Sequence, residues 1–429
     1  MAQPQGNNEK NYRWNFTFNL LDGASFWFGN SFISATTIFP LFISKCTTSL
    51  IPIGLISVIT SAGWFIPQLF SARIIERSTK MKKFCVGWGI FLERLPLWVL
   101  ILSAVAAERN PQLGVILLLV SFTWHAMGAG FIAPSWMGLV AKIFSPKKRG
   151  SFMGLTMFIG SGAGVLGSTL SAWMLERYNF PVSFIWLFGI AAVFVTLSWG
   201  FLALTREPEG EIETHDRDLK TYWIDLLQIL KRDQNFRRYI ISSSIIAVGG
   251  MGYGFFTVSA LQRFQVPDAT VGIYTLVMMV GQTVGYLVLG RMADRKGHKL
   301  SLEIGVLALA LAFSLALFIP SQPVYFVIFA LIGIFTSAGF ISSMMLVWEF
   351  CDISRVPTYS GLANTARGLI GLITPMVAAQ IAGRSYGLLF GLCAAFTILG
   401  LVLLHFWVRE PRWYGKPSES PSNKTLEEK

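Results

Sequence analysis

The chain has 429 residues, 53% of them hydrophobic and 14% charged, with a mean hydropathy of +0.55. A soluble domain carries roughly 25% charged residues, so an ordinary soluble enzyme is excluded. The formal charge of +12 is scattered through short loops and forms no nucleic-acid-binding patch. Cys46, Cys85, Cys351 and Cys393 have no CxxC spacing and no nearby His pair, so neither a metal site nor a disulfide framework is expected.

Residues 1–15 form a polar tail. The segment up to residue 14 lacks the short apolar core and small-residue cleavage site of a removable signal peptide, so the first apolar segment is expected to be retained. Hydropathy then predicts membrane-spanning helices over 16–43, 51–72, 84–106, 113–141, 151–175 and 182–204. A second set follows at 237–262, 269–290, 301–319, 323–348, 359–383 and 385–408. Each approaches or exceeds the ~20 residues that cross ~30 Å of hydrocarbon. The expected fold class is an all-α membrane protein, with twelve transmembrane helices in two six-helix bundles, 16–204 and 237–408.

Between the bundles, 205–236 carries Glu207, Glu209, Glu211, Glu213, Asp216 and Asp218, then an amphipathic run with Leu219, Trp223, Leu226, Leu227 and Leu230 on one face. It reads as a soluble linker ending in an interfacial helix. Every second loop is basic: one side receives 28 Lys and Arg, the other 5. That asymmetry predicts a multi-pass inner or plasma membrane protein with the linker and both tails, 1–15 and 409–429, in the cytoplasm.

The halves repeat. Ala129-Gly130-Phe131-Ile132 recurs as Ala338-Gly339-Phe340-Ile341, and Gly154-Leu155 as Gly361-Leu362. The segment 72–80, with Glu76 and Arg77, tracks 290–298. Three matches in the same order argue for a duplicated six-helix unit. A parallel duplication places a pseudo-twofold axis along the membrane normal, with a substrate site where the halves meet.

The segment Gly290-Arg291-Met292-Ala293-Asp294-Arg295-Lys296-Gly297-His298-Lys299 resembles the signature loop of the major facilitator superfamily. With the duplicated plan, the resemblance covers roughly residues 15–408. It implies a secondary transporter in which two bundles rock about a central cavity. The first copy departs from the pattern, with Ala72, Glu76 and Thr79 where the signature has Gly, Asp and Gly. Physically, Gly290 would let helix ends approach and Gly297 would permit a positive φ. Asp294 would sit against the dipole-positive N-terminus of span 11 in only one bundle arrangement. Gly290, Asp294, Arg295, Gly297 and Lys299, with Glu76 and Arg77 in the first copy, are therefore candidates for a gating latch. Gly154, Gly160, Gly164 and Gly167 in span 5 offer a small-xxx-small packing face. They weakly resemble an antiporter motif of the superfamily, with Val165 where that motif has Pro.

Ionisable groups inside spans are few and usually face a cavity or a partner. In the superfamily the first and fourth helices of each half line the cavity, which makes Asp22 and His125 candidates for proton coupling. Glu93 is a third. Asp22 reads equally as a helix-entry carboxylate in interfacial water, and His125 as a satisfied polar residue. Glu93 and Arg94, about 100° apart on an α-helix, are expected to find separate partners, helped by carbonyls that Pro96 frees. Arg367 would pair with Glu349 or Asp352, or hold an anionic substrate. Asn30, Trp64, Gln68, Tyr253, Thr257, Gln282 and Asn364 complete the candidate cavity wall. Their mixture with Phe, Trp and Met suits an amphipathic organic solute.

No Walker-type phosphate loop, HExxH or GxSxG context is present, so catalytic residues and cofactors are not expected. The expectation is a monomeric, proton-coupled secondary transporter in the lipid bilayer, handling a small-molecule substrate and working as an efflux antiporter of amphipathic compounds. A nutrient symporter for a sugar or organic anion is the alternative within the class. A transport-inactive membrane receptor or assembly partner is the alternative outside it.

Overall fold

The computed structural model describes residues 5–76, 80–144, 146–208, 228–351 and 356–413. Twelve helices among them are long and apolar enough to cross a membrane. Spans 1–6 are Asn11–Cys46, Ile51–Gln68, Met81–Ala107, Pro111–Val140, Phe152–Arg177 and Val182–Ala203. Spans 7–12 are Gln234–Phe264, Asp268–Lys296, His298–Phe318, Gln322–Glu349, Tyr359–Ala382 and Tyr386–Trp407. The predicted number and order hold, and the ends shift by a few residues. The acidic linker and most of the amphipathic run lie in 209–227, outside the described residues.

Three spans depart from uniform helix. Span 1 is an α-helix, Gln5–Asn30, a 3₁₀ turn, Ser31–Ile33, and a second helix, Ile38–Cys46. Span 7 passes through a 3₁₀ stretch, Gly250–Phe255, carrying Gly250, Gly252 and Gly254, each of which disfavours regular α-helix by about 1 kcal/mol relative to Ala. Span 3 contains a π-helical turn, Ile90–Arg94, directly before Pro96. That proline has no N–H to give to the carbonyl of Leu92.

The halves meet where spans 2 and 11, and spans 5 and 8, run side by side. Small residues line both seams and let backbones approach. A Cβ on Gly54 would stand 2.9 Å from the Pro375 carbonyl oxygen, and one on Gly164 would stand 3.1 Å from Met279 Sδ. Gly160 and Gly167 instead receive span 1, through Trp27 and Phe28.

The apolar core shows which side is shut. On the side away from the termini, here the distal side, one buried cluster joins Phe32, Phe39 and Phe42 of the first half to Phe256, Tyr274 and Phe390 of the second. On the terminal side the core divides. Phe144 and Phe152 pack with Tyr12 and Phe16 in the first half, while Phe236, Tyr239, Phe350 and Tyr359 pack together in the second. Among the described residues the bundles therefore share one buried apolar core on the distal side and keep separate cores towards the termini.

Candidate transport site

The distal seal is polar at its centre. Thr37 Oγ1 and Thr275 Oγ1 lie 2.6 Å apart, both fully buried. Thr275 donates to the carbonyl of Val271 at 3.1 Å. A hydroxyl has one proton, so Thr37 is the donor between the two. Thr257 donates to the Thr36 carbonyl at 2.6 Å, an oxygen that precedes the helix Ile38–Cys46 and so has no intrahelical donor. Thr257, expected on the cavity wall, belongs instead to the seal and is fully buried. At the rim, Lys45 Nζ meets Asp268 Oδ1 at 2.7 Å. All three contacts tie span 1 to spans 7 and 8 and must break if the distal side opens.

Inside the first bundle, Asp22, Glu93, Arg94 and His125 form one buried group. Ser198 of span 6 donates to Asp22 Oδ1 at 2.5 Å, and Asp22 feels the charge of Arg94. Arg94 Nη1 binds the Glu93 carboxylate directly. The adjacent pair was not expected to meet, since an α-helix would splay the side chains; here both sit in the wider π-turn. The Glu93 carbonyl accepts from His125 Nδ1 at 2.7 Å, which places a proton on that nitrogen. Close approach of span 4 at this point requires Gly128, where a Cβ would collide with the Leu92 carbonyl. Asp22 thus faces span 6 within the bundle, and the network joins spans 1, 3, 4 and 6.

The remaining polar candidates sit apart from one another. The Asn30 and Gln68 amides bond within their own helices, to Phe26 and Trp64 carbonyls. Gln282 donates to Tyr286 on the same span at 2.8 Å, and Tyr253 OH lies 3.4 Å from Thr336 Oγ1. Trp64 is exposed and Asn364 partly so. Arg367 Nη1 donates to Ser343 Oγ at 3.1 Å, beside the Tyr239 hydroxyl, which donates to the Ser343 carbonyl. Its buried Nε has no acceptor among the described residues. The expected pair with Glu349 does not form, because Arg412 occupies that carboxylate at 2.6 Å. Asp352 lies outside the described residues.

Two apolar-sheathed halves sealed at one end, with the seam on spans 2, 11, 5 and 8, find a match among known proteins. The sequence profile described as Major Facilitator Superfamily matches residues 20–267 and 245–428. The chain belongs to this superfamily. A multidrug resistance protein, MdtH, of Aeromonas salmonicida (strain A449) is 26% identical over 215 residues, 50% of this chain and 51% of that protein. Matches to the curated relatives span about half of their length or less. Among solved structures, a D-xylose-proton symporter aligns with a TM-score of 0.68 at 13% identity, covering 92% of this chain and 98% of that one. A bacterial homologue of the iron transporter ferroportin, in an inward-facing state, aligns with a TM-score of 0.67 at 13% identity, covering 94% and 99%. At such identities these structures establish the fold alone.

In this MFS transporter the signature segment is mostly helix: span 8 continues to Lys296, and the chain turns only at Gly297, with φ 95°. Gly290 makes no close contact, since a Cβ there would meet only Ile341 Cδ1 at 3.8 Å. Asp294 is exposed, and its expected contact with the start of span 11 is not seen among the described residues. The start of span 11 lies partly outside the described residues, which omit 352–355 and the side chains of 356–358. Arg295 is likewise exposed. Arg77 lies outside the described residues, as does the side chain of Glu76.

What does grip this region escaped the sequence reading. Glu207 accepts from the backbone N–H groups of Met81 at 3.0 Å and Lys82 at 2.9 Å, capping span 3, and from Lys142 Nζ at 2.9 Å. In the second half Glu410 accepts from the Lys299 N–H at 3.1 Å, capping span 9. Its carboxylate lies so close to Gly297 that a Cβ there would collide with it. The signal was present as a fourth repeat: Arg206-Glu207-Pro208 after the first bundle and Arg409-Glu410-Pro411 after the second.

Proposed function

We propose that this MFS transporter is a proton-coupled exporter of amphipathic organic solutes, acting as a monomer with both termini in the cytoplasm. It catalyses no reaction of its own. The observation that carries the coupling is the composition of the buried network: two carboxyls, Asp22 and Glu93, share one guanidinium, Arg94. An uncompensated buried charge is costly, so the group is best balanced when it holds one proton. Glu93 is already bonded to Arg94, which leaves Asp22 as the exchanging carboxyl and Ser198 as the hydroxyl that orients it. Protons drive the cycle only through differential affinity for the two bundle arrangements. Span 1 supplies that link, because it carries Asp22 at one end and the seal residues Thr36, Thr37 and Lys45 at the other.

Organic solutes with an anionic group are a second reading, favoured by the buried Nε of Arg367 that lacks an acceptor among the described residues. Transport of a fluorescent amphipathic cation and of an amphipathic anion into proteoliposomes, with and without an imposed pH gradient, separates the two. With either probe, Asp22→Asn should abolish gradient-driven accumulation while keeping exchange counterflow. Full driven transport by Asp22→Asn would refute the coupling assignment. Equal transport of the anion by Arg367→Gln would refute the second reading.

A further inference from the structure

The two capping glutamates differ in what faces them. In the first half Glu207 meets a cation, Lys142, at the end of span 4. In the second half Glu410 meets another acid, Glu349, at the end of span 10 and within hydrogen-bonding reach. Arg412 approaches Glu349 from the far side, with Nε and Nη2 both on Oε1 at 3.0 and 2.6 Å. Lys299 N–H takes Oε2 of Glu410. This leaves Glu349 Oε2 and Glu410 Oε1, both buried, with no donor among the described residues. Two carboxylate oxygens cannot share a dry space without a proton between them.

We propose that Glu349 and Glu410 form a second proton-binding site, separate from the transport network, whose occupancy decides whether the segment 409–413 stays docked on the second bundle. In the docked, protonated form one carboxyl donates to the other, and the missing donor is supplied. Arg412 Nη1 then holds the carbonyls of Ala293 and Asp294 at 3.1 and 3.0 Å. The ends of spans 8, 9, 10 and 12 are thereby tied together. Loss of the proton puts two negative charges face to face, and undocking releases one proton to solvent.

The charged and titratable surroundings come from every packed element. Asp294 lies at the end of span 8, and His298 and Lys299 at the start of span 9. Glu349 ends span 10, and Arg412 lies in the docked segment itself. Burial, with Glu349 adding to it, pushes the Glu410 carboxyl up from 4.5 to about 7. The docked form binds the extra proton, so docking is tightest below the ordinary carboxylate value. It weakens roughly tenfold per pH unit as pH rises towards about 7 and is flat above it. Acidification on this side therefore tightens the clasp.

Spin labels on Trp413→Cys and Arg291→Cys in the full chain in nanodiscs report docking as a distance population. The wild-type docked population should fall between pH 5 and 7 and then level off. Glu410→Gln imitates the protonated acid, accepting from Lys299 and donating to Glu349, and should stay docked at every pH. The infrared difference between wild type and Glu349→Gln, in which the Asp22 network cancels, should show a protonated-carboxyl component that disappears near pH 7. A pH-independent wild-type population, or a Glu410→Gln variant that undocks with the wild-type profile, would overturn the proposal. The coupling assignment of Asp22 stands or falls separately, since neither readout involves transport.

Discussion

The hydroxyl pair in the distal seal allows a prediction with a defined sign and size. Thr275→Val keeps the shape of the side chain and removes the acceptor that Thr37 has among the described residues, so that the Thr37 hydroxyl is then sealed in a fully buried site. A stranded buried donor costs about 1–3 kcal/mol, and the cost vanishes when the seal opens and water reaches the group. The ratio of distally closed to distally open molecules should therefore fall roughly 5- to 150-fold. Thr37→Val should do less, because Thr275 keeps its bond to the Val271 carbonyl. The double variant removes both polar groups, and paired replacement by apolar groups of the same shape is close to neutral. It should recover most of the wild-type ratio. Spin-label distances across the distal seam, from Ile51→Cys to Gln380→Cys, measure the populations. If Thr275→Val leaves the distance distribution unchanged, or if the double variant is as open as the single, the assignment of donor and seal is wrong.

Other predictions bear on packing and topology. Gly297→Ala places a side chain at φ 95° against the Glu410 carboxylate; it should lower stability by more than about 1 kcal/mol, visible in thermal unfolding in detergent. Glu207→Ala strips two backbone donors of their cap and should cost ~0.5–2 kcal/mol, with faster amide exchange at Met81 and Lys82 than elsewhere in span 3. Gly128→Val drives a side chain into the Leu92 carbonyl beside the π-turn. It should destabilise by ~1–3 kcal/mol and reduce proton-driven transport along with folding yield. Glu213→Cys, in the linker, should react with a membrane-impermeant maleimide in inside-out vesicles and remain unlabelled in intact cells; labelling in intact cells would reverse the topology.

Hydropathy and the alternation of basic loops determine the number of spans and their division into two sets of six, because crossing hydrocarbon demands long apolar helices whatever their neighbours are. The repeated motifs likewise predict two related halves, and Gly297 the positive φ at a turn that only glycine tolerates well. These are properties of local chain segments. Which polar groups meet is decided by packing between segments far apart in sequence. Asp22 meets Ser198 across 176 residues, and nothing in either helix alone specifies that face. Glu93 and Arg94 are neighbours whose pairing depends on a π-turn, a local widening that periodicity does not predict. Arg367 and Glu349 look like partners on paper. The structure gives Glu349 to Arg412 instead, because a short segment after span 12 folds back onto the bundle and brings a second acid, Glu410, with it.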